Sequence, residues 1–163
     1  SPSGDFYRAD GTHPDSLSAV QKYLGKISGP LLDRIDIHIE VNPVPFEKIT
    51  SEQKNEESAT IRERVITARE KQIERFKALK LNIHSNAMMS PQTTKEVCKL
   101  DQVSKTLLKT AMERLGLSSR AYDRILKVSR TIADLEKSDN IQAQHIAEAI
   151  QYRSLDREGW GGR

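Results

Sequence analysis

The sequence predicts a mainly α protein: the end of a small α/β unit over residues 1–54, a helical bundle over 55–157 and a short disordered tail over 158–163. Two observations carry this reading. From about Glu56 onward, apolar residues recur at spacings of three and four, the period of a helix with one buried stripe. Ahead of that lies one run with a different period, in which Ile35, Ile37, Ile39 and Val41 alternate with Asp36, His38 and Glu40. A composition of 36% hydrophobic, 30% charged and 5% aromatic residues in 163 fits a mostly helical chain with modest cores.

The elements follow in order. Residues 1–16, "SPSGDFYRADGTHPDS", are polar and broken by glycine and proline, and read as a loop inside a longer protein. Leu17, Val20, Tyr23 and Leu24 form a helical stripe over Leu17 to about Lys26. Gly29-Pro30 interrupts it, and Pro30 suits the first turn of a very short helix, "PLLDR". The alternating run 35–41 then reads as a strand with one buried face, ended by "NPVP" because proline cannot donate to a ladder. No other stretch has comparable strand character, so either two copies pair through this strand or, the favoured reading, its sheet partners lie outside this sequence.

In the long helix from about Glu56, residues Ile61, Val65, Ala68, Gln72, Phe76 and Leu79 make a narrow seam, which suits a helix lying across a surface. "SPQTTKEVCKL" gives a short helix with Ser90 as cap and Pro91 in its first position. Asp101 opens another that Gly116 stops. Ser118 or Ser119 caps the next, which presents Ala121, Ile125, Val128 and Ile132. After "KSDN" the last helix presents Ile146, Ala149, Ile150 and Arg153.

Several function classes drop out on chemistry. His13, His38, His84 and His145 share no metal-ligand spacing with the single cysteine, Cys98, so no metal site is expected. One cysteine cannot form an internal disulfide, which points to a reducing, cytoplasmic setting. No apolar run is long enough to span a bilayer, and no membrane partner is expected. A formal charge of +3 and a pI near 9.0 are too mild to establish nucleic-acid binding. The phosphate-binding pattern G-x-x-x-x-G-K-[ST] is absent.

Three blocks, "YLGKISGPLLDRIDIHIEV", "LSSRAYDRILKVSRTIADLE" and "IAEAIQYRSLDR", closely resemble the magnesium-chelatase-like AAA+ ATPases of the ComM/YifB type. The resemblance implies that the sequence is the C-terminal part of such a protein. It would hold the end of the AAA+ nucleotide-binding α/β core and then the helical lid. The phosphate-binding loop, the acidic magnesium-binding strand and the sensor asparagine would lie upstream. ATP and Mg2+ are then cofactors of the full-length protein, none is expected in this stretch, and it is not expected to hydrolyse ATP alone. A hexameric ring is implied as the assembly, with DNA as a partner through helicase and branch-migration activity. One departure stands out: family members with a cysteine-rich stretch before "YLxKISGPLLDR" have no counterpart here.

The resemblance also assigns residues. Arg34, in "LLDR", matches the arginine finger that reaches in trans to the γ-phosphate of a neighbouring subunit. A guanidinium suits that task because it stays charged and forks toward two oxygens. Asp33 and Asp36 would orient it; the competing reading is a plain ion pair with one of them. Arg120 matches the sensor-2 arginine of the lid. It stands in the first turn of a helix, where a cation opposes the helix dipole unless an anion is bound there. Arg124, one turn on, assists it or pairs with Asp123 or a lid neighbour. Arg62, Arg69 and Lys80 lie off the apolar seam of the long helix and read as a solvated face or a DNA-contacting side. His38 reads as a surface or interface residue, and Tyr122 as packing near the lid hinge. Two other classes compete with the DNA motor: a chelatase-like protein-remodelling ATPase, and a helical interaction module without nucleotide.

Overall fold

The computed structural model describes residues 16–39, 41, 44, 46 and 55–153. The tail expected over 158–163 and the loop over residues 1–15 lie outside them, as do Glu40 and residues 47–54. Two short helices, α1 (Leu17–Leu24) and α2 (Gly29–Leu32), precede α3 (Ser58–Ala78), a 3-10 turn (Asn86–Met88), α4 (Pro91–Val97), α5 (Gln102–Leu115), α6 (Ser119–Leu135) and α7 (Ala143–Gln151). The chain is mainly helical, and no strand occurs among the described residues.

Local chemistry sets the helix ends. The Ser90 hydroxyl accepts from the Thr93 amide at 3.2 Å, and Pro91 follows at the first helical position. The Asp101 carboxylate accepts from Ser104 at 2.7 Å, and the Ser118 hydroxyl from Ala121 at 3.2 Å. Each satisfies one of the amide donors that a helix start leaves without a partner. At the other end of α5, Gly116 turns left-handed at φ 60°, and the Leu117 amide closes back onto Met112 at 3.1 Å. Lysines do the same work after α3 and α6, with Lys80 at φ 55° and Lys137 at φ 60°.

α6 is the spine. It packs against α3, α4, the 3-10 turn and α7, while α5 packs against α7. Its apolar side buries Ala121, Ile125, Leu126, Ile132 and Ala133, and the last four join Phe76 of α3, Leu108 of α5 and Ile146 and Ala149 of α7 in one core. Complete burial of Phe76 or a leucine contributes about 1.5–3 kcal/mol each. α3 buries only Ala68, Gln72 and Phe76; the ends of its predicted seam, Ile61, Val65 and Leu79, are exposed. It therefore lies across the bundle's surface, as its thin seam predicts.

Among the described residues the predicted strand is not formed. Residues 35–39 and 41 have no ladder, and Ile35, Ile37, Ile39 and Val41 are 40% to 80% exposed. His38, expected on the outer face, is instead buried. A strand requires a second backbone to pair with, and the described residues offer the segment none. Its polar groups turn to the end of α7: the His38 amide donates to the Tyr152 carbonyl at 2.8 Å.

Candidate functional site

The "LLDR" stretch forms a tight turn. The amides of Leu31 and Leu32 donate to the Ser28 carbonyl to make α2, and the Ile35 amide then donates to the Leu32 carbonyl at 3.0 Å. Arg34 is thereby set at the third position of a four-residue turn. Its side chain is exposed, and its guanidinium donates to the Pro30 carbonyl at 3.1 Å. Neither expected aspartate orients it. Asp36 forms an ion pair with Arg124 of α6 at 3.0 Å.

That pairing makes Arg124 a tie between α6 and the Arg34 segment, a partner that is neither Asp123 nor a residue of the lid. Asp123 is taken by Lys127 at 3.2 Å, whose ammonium also donates to the Met89 carbonyl at 2.7 Å. Arg120 sits exposed in the first turn of the 17-residue α6, one helical turn above Arg124 and on the same side. Arg34 and Arg120 are thus two solvent-facing cations, the latter at the start of a long helix where backbone amides add positive potential.

Tyr152 and Arg153, just past the end of α7, were not singled out as site residues from the sequence. Arg153 is 1% exposed, and its guanidinium donates to the carbonyls of Ile35 and, at 3.5 Å, Leu32. The available signal was its register: it continues the stripe of Ile146, Ala149 and Ile150, so it points inward.

A second buried polar cluster also escaped the sequence reading. Asp134 of α6 accepts from both guanidinium nitrogens of Arg75 on α3, from Asn86 Nδ2 at 2.9 Å and from Arg130 Nε at 3.2 Å. Arg130 reaches on to the carbonyls of Ser138 and Asp139 at 2.7 and 2.8 Å. Burial lowers the pKa of the Arg130 guanidinium, opposed by Asp134 beside it. The cluster locks α3 and the 3-10 turn onto α6. At the far end of α6, His145 Nδ1 accepts the Gln142 amide at 2.9 Å, which leaves Nε2–H to donate to Glu136 at 2.9 Å.

Arg62, Arg69 and Lys80 are exposed on or just past α3. A surface groove of about 320 Å³ runs along α5 over Leu108 and Met112 and is edged by Tyr122; Arg34, Arg120 and Arg124 are not among its lining residues. Among the described residues, no helix is long and apolar enough to cross a membrane, and no cluster of three metal-ligating side chains forms.

Comparison with known proteins gives the context. The family model described as "Magnesium chelatase, subunit ChlI C-terminal" matches residues 55–153, and that described as "Magnesium chelatase, subunit ChlI" matches residues 1–49. Competence protein ComM of Haemophilus influenzae is 42% identical over 159 residues, covering 96% of this chain and 30% of the relative. The uncharacterized protein YifB of Escherichia coli is 42% identical over 138 residues, covering 83% of this chain and 26% of the relative. The uncharacterized protein Rv2897c of Mycobacterium tuberculosis is 30% identical over 138 residues, 85% of this chain and 27% of the relative. The chain spans between a quarter and a third of the length of these relatives. On these matches the chain belongs to the magnesium chelatase subunit ChlI family, as a ComM- and YifB-like member.

Proposed function

We propose that this chain supplies the lid and the arginine finger of a ring-forming AAA+ ATPase, with Arg34 acting in trans on the γ-phosphate held by a neighbouring subunit and Arg120 acting as sensor 2 on the nucleotide of its own. The observation that carries the reading is the state of Arg34. It is exposed beside two aspartates and pairs with neither; Asp36 pairs with Arg124, and the Arg34 guanidinium rests on a backbone carbonyl. A cation kept out of a nearby ion pair is available to an incoming anion.

The residues present suit the phosphate end of ATP and not the metal. Two exposed guanidiniums and a helix N-terminus match anionic oxygens, whereas Mg2+ would be held by the nucleotide and by residues beyond those described. ATP supplies the transferable phosphoryl group. This chain's part is to stabilise charge on that group from one subunit and to sense it from the other.

The test is ATP turnover by the full-length protein. Arg34→Ala should lower turnover about 1,000-fold, to a residual rate that can still be measured, while leaving nucleotide binding intact, and mixing it with a subunit deficient in phosphate binding should restore activity at mixed interfaces. Arg120→Ala should weaken nucleotide affinity. Normal turnover by Arg34→Ala would end the finger assignment, and unchanged affinity and turnover with Arg120→Ala would end the sensor assignment.

For the motor's substrate we propose DNA, in a helicase or branch-migration role within a hexamer. Support comes from the similarity to a competence protein and from the exposed Arg62, Arg69 and Lys80 along α3. The family's description, a magnesium chelatase subunit, favours a second reading, protein remodelling by the same ATP cycle. ATPase activity stimulated by DNA would support the first; stimulation only by a chelatase partner protein would support the second.

A further inference from the structure

We infer that Arg153 is the positioning residue for Arg34: its buried guanidinium holds both ends of the turn that carries Arg34, so the last helix of the bundle aims the finger. This rests on the finger reading of Arg34. The turn from Leu32 to Ile35 is closed by one hydrogen bond, Ile35 N–H to the Leu32 carbonyl. Both carbonyls at its ends, Leu32 and Ile35, accept from Arg153. A guanidinium can span both because its donors are set in a rigid planar fork, which an ammonium lacks.

Two further ties act on the same few residues. The neighbouring Tyr152 carbonyl takes the His38 amide at 2.8 Å, and Arg124 holds Asp36 at 3.0 Å. The segment 32–38 is thus fastened to the end of α7 and to the first turns of α6, the helix that presents Arg120 one turn above Arg124. Arg34 itself is exposed and holds only the Pro30 carbonyl, so its direction is inherited from the backbone beneath it. The turn that carries Arg34 is thus joined through segment 32–38 to both α6 and the end of α7.

The experiment is a kinetic cycle in the full-length protein with Arg34→Ala, Arg153→Met, Arg153→Lys and the double variant Arg34→Ala/Arg153→Met. Arg153→Met should lower kcat for ATP about 10- to 100-fold, as expected for a misplaced catalytic group. KM for ATP should stay within about two-fold, since the finger acts on charge that develops in the transition state and not on nucleotide binding. Arg153→Lys should recover part of the loss, and the double variant should be no slower than Arg34→Ala alone. Full activity of Arg153→Met beside an impaired Arg34→Ala overturns the inference, as do losses that multiply in the double variant. Normal turnover by Arg34→Ala alone defeats the finger reading instead, and the role of Arg153 with it.

Should Arg153→Met fail to fold, Asp36→Asn cuts the half-exposed tie to Arg124 and should lower kcat without adding to Arg34→Ala; full activity there counts against the coupling. Amide exchange in this chain supplies an independent reading. The His38 amide should exchange faster in Arg153→Lys while those of α6 keep their protection, and unchanged exchange at His38 overturns the clamp.

Discussion

Asp134 offers the sharpest test of how the bundle is held together. It is fully buried and faces two guanidiniums, Arg75 on α3 and Arg130 on its own helix, the latter only 3% exposed at its side chain. Asp134→Asn preserves the volume of the side chain, so no cavity opens; what it removes is the one negative charge between two cations. Taking away one partner of a buried ion pair costs about 3–5 kcal/mol, because the remaining charge is left uncompensated. A domain of this size has a total stability of about 5–15 kcal/mol, so the change removes a large share of it. With a urea dependence of about 1–3 kcal/mol per molar, the unfolding midpoint should fall by roughly 2 M. Urea titration of this chain followed by far-UV circular dichroism measures the shift. Asp139→Asn, which breaks the exposed pair with Lys71 at 3.0 Å, is the control and should move the midpoint little. A midpoint for Asp134→Asn equal to that of the control would refute the claim that the cluster locks α3 to α6.

Three other outcomes are expected. Cys98 is buried and its thiol is pushed up to about 12, chiefly by burial, so it should resist thiol reagents at neutral pH and react only as fast as the bundle unfolds. The carboxyls of Asp101, Glu136 and Asp139 are all held below their usual range, by the Ser104 amide, by His145 and by Lys71 respectively. A folded-state pKa below the unfolded one adds stability that is present above the ordinary carboxylate range and lost as pH falls through it. The urea midpoint should therefore drop on acidification below the ordinary carboxylate range, and the triple variant Asp101→Asn/Glu136→Gln/Asp139→Asn should flatten that slope. Lys137, left-handed at φ 60°, should be stabilised by Lys137→Gly, and Gly116→Ala should be destabilising, each by about 1 kcal/mol as read from thermal melts. A Cβ at Gly116 would meet nothing within 4 Å, so backbone strain alone sets that cost.

The sequence by itself determined the helices and their ends, because those depend on residues within four positions of one another. Ser90 with Pro91, Asp101, Ser118 and Gly116 act where their types and spacing predict. The stripe on α6 and α7 was legible for the same reason, and so was the inward register of Arg153. The arginines of "LLDR" and "SSRAYDR" could be picked out as candidates, but not what each would touch. Only the tertiary structure decided that the described residues of the alternating run, 35–39 and 41, form no strand, since a ladder depends on a second backbone that periodicity cannot supply. It also decided that Asp36 meets Arg124 instead of Arg34, that Arg75 reaches Asp134 across 59 positions and that Arg153 reaches Ile35 across 118. Such pairings join charged residues whose local spacing looks like an ordinary solvated surface. Their burial comes from helices packing together, and the chain's linear order carries no periodic trace of it.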